Sequence, residues 1–147
     1  MKKLLLFTFL FSSINLFAAW GLFDADRSYI IFNVKGTSTT KAIWNSGAGN
    51  FNETDFGTFG VTDVLTLTAY DVKTWKNNGG DVTGGTFYYM IYPKGTRPSP
   101  TTFTSKAINF IENIGVSGDQ KWGFSGATIN VLSGLAAGEY SIEVYCA

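Results

Sequence analysis

Three tryptophans stand beside loops rich in glycine and asparagine: Trp44 in AIWNSGAGN, Trp75 in KTWKNNGG and Trp122 in GDQKWGFSG. A flat indole at a loop is a group that stacks on a pyranose face. The neighbouring Asn45, Asn77, Asn78, Asp119 and Gln120 carry the donors and acceptors that sugar hydroxyls take. The chemistry on offer is non-covalent recognition of a polysaccharide. The same tryptophans also read as caps on the open ends of a strand sandwich, with the ring buried and the N–H at the rim. Convergence of two of them in space is what separates these readings.

Bond-breaking chemistry is poorly supplied. The chain has no histidine, which removes a Ser-His-Asp triad, a Cys-His pair and the usual zinc sites in their ordinary forms. Two acids roughly 5–10 Å apart suffice for glycoside hydrolysis, and Glu53 with Asp55, or Glu112 with Asp119, are the pairs available. No active-site motif surrounds either pair, and exposed charge accounts for them. The expectation is a non-enzyme with no cofactor. Asp24 with Asp26, and Glu53 with Asp55, have the alternate spacing that brings two carboxylates onto one calcium ion. Neither continues as an EF-hand loop, so solvated turn acids are expected and no metal site. Cys146 stands alone, which excludes an intrachain disulfide and suits a small core residue at the end of a strand better than a reactive thiol.

The N-terminus gives the destination. Lys2 and Lys3 precede the apolar run Leu4 to Phe11, and Ser12, Ser13 and Asn15 then lead to Ala18 and Ala19. This order of charge, apolar run and small residues is that of a secretory signal peptide, cleaved after Ala18 or Ala19. A spanning helix needs roughly 20 apolar residues and this run is shorter, so no membrane span is expected in the mature chain. Losing residues 1–18 takes 11 basic residues to 9 against 11 acidic ones, a formal charge of −2. With no basic excess, nucleic acid is not an expected partner. Residues 19–147 are the size of one domain, secreted or at the cell surface.

The elements that must hold these side chains are strands. In SYIIFNVK, Ile30, Phe32 and Val34 alternate with Tyr29, Ile31, Asn33 and Lys35; in VLTLTAYDV, Leu65, Leu67 and Ala69 oppose Thr66, Thr68 and Tyr70. In GEYSIEVYC, Tyr140, Ile142, Val144 and Cys146 oppose Ser141, Glu143 and Tyr145. Period two with one apolar side predicts half-buried strands. Weaker strand candidates are 41–44, 56–61, 106–112 and 127–132, separated by the turn clusters NSGAGN, KNNGGDVTGG, KGTRPSP and VSGDQ. Short strands with glycine-rich turns predict an all-β fold, an immunoglobulin-like Greek-key antiparallel β-sandwich of about 7–9 strands.

Two stretches refine this reading. In LSGLAAGEYSIEVY, Leu135, Gly138 and Tyr140 have the spacing of a tyrosine corner, in which the hydroxyl bonds back to the backbone between sheets. In TFYYMIYP, Phe87, Tyr89 and Ile91 share one face of a strand and Tyr88, Met90 and Tyr92 the other. One face fills a core. The Tyr88/Tyr92 face then needs a covering loop, a second subunit or a ligand.

The stretches FYYMIYPKG, GDQKW and INVLSGLAAGEYSIEVY together resemble the β-sandwich modules of secreted and surface proteins from bacteria that use type IX secretion. The resemblance spans most of residues 20–146 and carries no catalytic signature. It implies an extracellular module, often followed by further domains and a sorting tail; the chain here ends at Ala147, as a stand-alone module or a fragment. The functional expectation is an exported binding module for polysaccharide or a cell-surface protein. The alternative is a structural or adhesive unit packing against other domains or copies of itself through Tyr88 and Tyr92.

Overall fold

The computed structural model describes residues 19–22, 28–43, 51–52, 54–77, 80–115 and 118–147. Residues 1–18, which hold the expected signal peptide, lie outside the described residues. Among the described residues nine strands form: β1 (Ala19–Leu22), β2 (Ser28–Val34), β3 (Thr37–Ala42), β4 (Leu65–Asn77), β5 (Gly85–Pro93), β6 (Thr104–Ile114), β7 (Asp119–Phe124), β8 (Ile129–Asn130) and β9 (Tyr140–Cys146). No helix occurs among the described residues. The chain is all-β, and its antiparallel strands follow one hydrogen-bonded path, β3-β2-β4-β7-β6-β5-β9, with β1 and β8 also pairing with β4. The path curls into a half-barrel.

Two long strands produce the curl. β4 pairs with β2 over Leu65–Val72, and its C-terminal half is gripped by β7 on one side and β1 on the other. β6 passes from one half of the sheet to the other: Thr104–Ile108 pair with β5, and Asn109–Ile114 with β7. The β2–β3 hairpin turns on Lys35 (φ 50°) and Gly36 (φ 88°), and the Asn33 side-chain oxygen accepts from the Gly36 N–H at 2.7 Å. Two successive positive φ values match the right-handed twist of the flanking strands.

The core comprises Ile30, Phe32, Leu65, Leu67, Tyr70, Val72, Phe87, Ile108, Trp122, Phe124 and Val131. Burying each such side chain is worth about 1.5–3 kcal/mol. The alternation read in β2, β5 and β9 holds, but β4 departs from it. Tyr70 is 4% exposed in the core, whereas Ala69 is only half-buried. Ile31 pairs with Ala69 but Phe32 with Leu67, so Thr68 is an extra residue that reverses the faces beyond it. The bulge is satisfied locally. Thr68 Oγ1 donates to the Ile31 carbonyl at 3.0 Å, and the Ala127 N–H donates to the Thr68 carbonyl at 2.9 Å.

Other boundaries move as well. Residues 54–60 run irregularly rather than as part of a strand over 56–61. Lys41 and Ala42 of the candidate at 41–44 end the polar β3, the one at 127–132 shrinks to β8, and the one at 106–112 lengthens to β6. Asp119 and Gln120 open β7 instead of finishing a turn; Gly118, with φ 73°, makes the turn before them.

Candidate functional site

Of the described candidates, Trp75 and Trp122 do not converge. Val72 lies opposite Trp122, and both side chains face the core, so Trp75, three residues further along β4, projects from the outer face. Trp122 is 7% exposed. Its Nε1–H donates to the Gln120 side-chain oxygen at 3.3 Å, and Phe110 stands edge-on to it with centroids 5.6 Å apart. Trp122 and Gln120 thus satisfy each other inside the sheet, and the structure gives Trp122 a packing role. Trp75 lies across Gly21, where an added Cβ would sit 2.6 Å from the indole. Trp44, Asn45 and Asn78 lie outside the described residues, as do Asp24, Asp26 and Glu53. Asn77 ends β4 opposite Ala19.

The described acids have local partners. Asp55 Oδ1 accepts from the Gly57 N–H at 2.7 Å, a turn contact. Lys121 stands within 3.5 Å of Asp71 and 3.9 Å of Glu112, and Asp119 opposes Ile114 at the start of β7. Among the described residues no group of three His, Cys, Asp or Glu gathers as a metal site would. Cys146 is half-buried against the core, and burial pushes its thiol above the ordinary value although Tyr70 hydrogen-bonds to it. A small apolar hollow of about 160 Å³ lies beside it, between Val72, Val82, Ile108 and Trp122.

The second face of β5 is partly covered by β9 and by the loop from β5 to β6. Tyr88 stacks on Tyr145 of β9 with centroids 4.6 Å apart and planes 9° apart, and Phe103 meets Tyr145 edge-on at 4.9 Å. Arg97, in the loop from β5 to β6, donates to both carboxylate oxygens of Glu143 on β9, each at 2.8 Å. Met90, between Tyr88 and Tyr92, is 5% exposed. The proline-containing loop is therefore exposed but tied down.

The Arg97 hydrogen bonds, with a lesser one from Tyr92, hold the Glu143 carboxyl below its ordinary value of 4.5. A carboxylate with a depressed pKa stabilises the fold above about pH 4.5 and loses that contribution as the pH falls through its folded value. Between neutral pH and pH ~3 the wild-type urea midpoint is therefore expected to fall further than that of Glu143→Gln. Equal declines would show that the pair does not hold the loop.

A larger feature was not legible as a site in the sequence. Between the irregular 54–61 segment and the β9 side of the half-barrel lies an open cleft of about 1820 Å³. Leu65, Ile91 and Val131 line its depth. Phe51 and Phe56 anchor one lip on Phe32, with centroids 6.0 and 4.9 Å away. Lys35 secures the same lip: its ammonium bonds the Thr58 carbonyl at 2.5 Å, pairs with Asp63 at 3.0 Å and lies 5.1 Å from the Phe59 ring centre. The other lip is Leu132 to Val144. There the expected corner forms, with the Tyr140 hydroxyl donating to the Ala136 carbonyl at 3.1 Å and its ring resting over Gly138. The sequence offers only a weak strand candidate at 56–61 there. Comparison with protein-family models, curated proteins and solved structures finds no match to this chain.

Proposed function

We propose that this chain is an exported, non-catalytic interaction module that holds its partner in the cleft beside β9. The observation that carries this reading is the partial cover over Ile142 and Val144. Both face the core yet remain half-buried beside about 1820 Å³ of open space, whereas Ile30 and Phe32 of β2 are 0% exposed. An uncovered apolar lining of this kind is characteristic of an interaction surface.

Export is supported by Lys2, Lys3, the apolar run and Ala18–Ala19. The likeness to secreted bacterial modules agrees with a place outside the cell. An immunoglobulin-like Greek-key kinship is supported by the spatial order β4-β7-β6-β5, three consecutive strands with the fourth beside the last of them, and by the Tyr140 corner. A non-catalytic role is supported by the lack of histidine and by Asp63 and Glu143, whose hydrogen bonds keep them ionised and so unsuited to act as general acids.

The test is an environment-sensitive apolar dye, anilinonaphthalene sulfonate, added to dilute, natively folded protein. One-to-one binding with enhanced fluorescence, lost in Val144→Asp, is expected. A folded protein that leaves the dye dark would sink the cleft reading. Carbohydrate binding is the second reading, favoured by the half-buried Trp75 lying against Gly21 on the outer face. Retention on an immobilised polysaccharide that Trp75→Ala abolishes would move the function there.

A further inference from the structure

The pairing of β9 with β5 determines which of its backbone groups are in use. Thr86 and Ala147 exchange both backbone hydrogen bonds, at 2.7 and 3.0 Å, and the Lys94 N–H donates to the Glu139 carbonyl at 2.9 Å. Such pairs alternate along an antiparallel ladder. Ser141, Glu143 and Tyr145 therefore bond to β5, while Tyr140, Ile142, Val144 and Cys146 aim their N–H and C=O groups at the opposite edge. Among the described residues no strand pairs with that edge.

Ile142, Val144 and Cys146 turn their side chains toward the core, so one open edge combines unpaired backbone with under-covered apolar side chains. The cleft runs along the edge itself, because Ser141 and Glu143 border it as well as Ile142 and Val144. The far end of the path is different. β3, TSTTKA, is largely polar and carries Lys41, which blunts an edge against addition, whereas β9 contains neither lysine nor proline.

We infer that two copies of this chain associate through β9, which pairs antiparallel with the β9 of the second copy, each strand closing the other's cleft. This rests on the cleft being the interaction surface. The occupant must be extended, must place apolar side chains at every second residue, and must bring little charge. β9 itself meets all three conditions, and a two-fold axis presents it to both copies at once. The mature chain has a formal charge of only −2, so little long-range repulsion opposes the encounter. Pairing centred on Ile142 or on Val144 sets Glu143 against Ser141 or Tyr145 rather than against itself. Each Glu143 then keeps its own Arg97.

The test is sedimentation of the mature chain from micromolar to millimolar concentration, with residue-resolved amide exchange alongside. A dimer is expected, in which the Ile142 and Val144 amides slow at least ~10-fold as it forms while those of Glu143 and Tyr145 stay unchanged. Ile142→Pro removes one edge-facing N–H without touching the β5 ladder, and is expected to give a folded monomer. Val144→Lys, an inward charge at the edge, is the second variant and is expected to do the same. A monomer at every concentration overturns the inference, whether the two amides exchange fast or are already protected. A dimer that survives both variants overturns it too, by locating the contact elsewhere. Dye binding by a protein that stays monomeric leaves the cleft standing and removes the second copy as its occupant. A folded protein that neither binds dye nor dimerises removes both.

Discussion

Gly123→Ala is expected to cost the domain about 3 kcal/mol or to prevent folding altogether. A Cβ at this position would overlap the Tyr70 carbonyl oxygen and press on the Asp71 Cα at 3.0 Å and the Tyr70 carbonyl carbon at 3.1 Å. All three atoms are backbone, so no side chain can rotate away to relieve them. The contact lies between β4 and β7, in the middle of the strand path, where a shift would be passed to both neighbours. Gly84→Ala is the control: nothing lies within 4 Å of its added Cβ, and stability is expected to change by less than ~1 kcal/mol. Urea unfolding followed by tryptophan fluorescence measures both. Equal midpoints would mean that β7 can move off β4 at little cost.

Phe32→Ala is expected to cost about 3–5 kcal/mol, as a fully buried aromatic side chain does, since Phe32 is 0% exposed. Its consequence reaches beyond stability. Phe51 and Phe56 rest on its ring, and through them the lip of the cleft rests on β2. Leu67→Ala, another core truncation at 1% exposure, is the matched comparison and should cost about 2–5 kcal/mol. With both variants kept folded, dye binding in the cleft is expected to fall sharply for Phe32→Ala and to persist for Leu67→Ala. Parallel losses would mean that the lip does not depend on the Phe32 stack.

These residues show how far local reasoning reaches. Ile30 and Phe32 were readable as inward because β2 alternates without interruption. The corner at Tyr140 was readable because its partner, Ala136, is only four residues away. Tyr70 was misplaced because a single unpaired residue, Thr68, reverses the faces of everything beyond it, and its stabilising contact comes from Ile31, thirty-seven residues distant. Which of its two readings holds for Trp122 was not legible, for a related reason. Lying next to a glycine-rich turn says nothing about which face of the strand a ring takes, and that face is set by pairing with Val72.

Composition and alternation by themselves determined that the chain is built of half-buried strands, that histidine-dependent catalysis is closed to it, and that Tyr88 and Tyr92 need a cover. Those properties reside in the residues and their immediate neighbours. Only the tertiary structure decided that β9 and the β5–β6 loop partly cover the Tyr88/Tyr92 face, that Trp75 and Trp122 lie on opposite faces, and that β9 borders an open cleft with one edge unpaired among the described residues. Each of these depends on which distant strand lies alongside. A period-two pattern specifies that a strand has two faces and two edges, but the neighbours that cover them are chosen by the closing of the whole sheet.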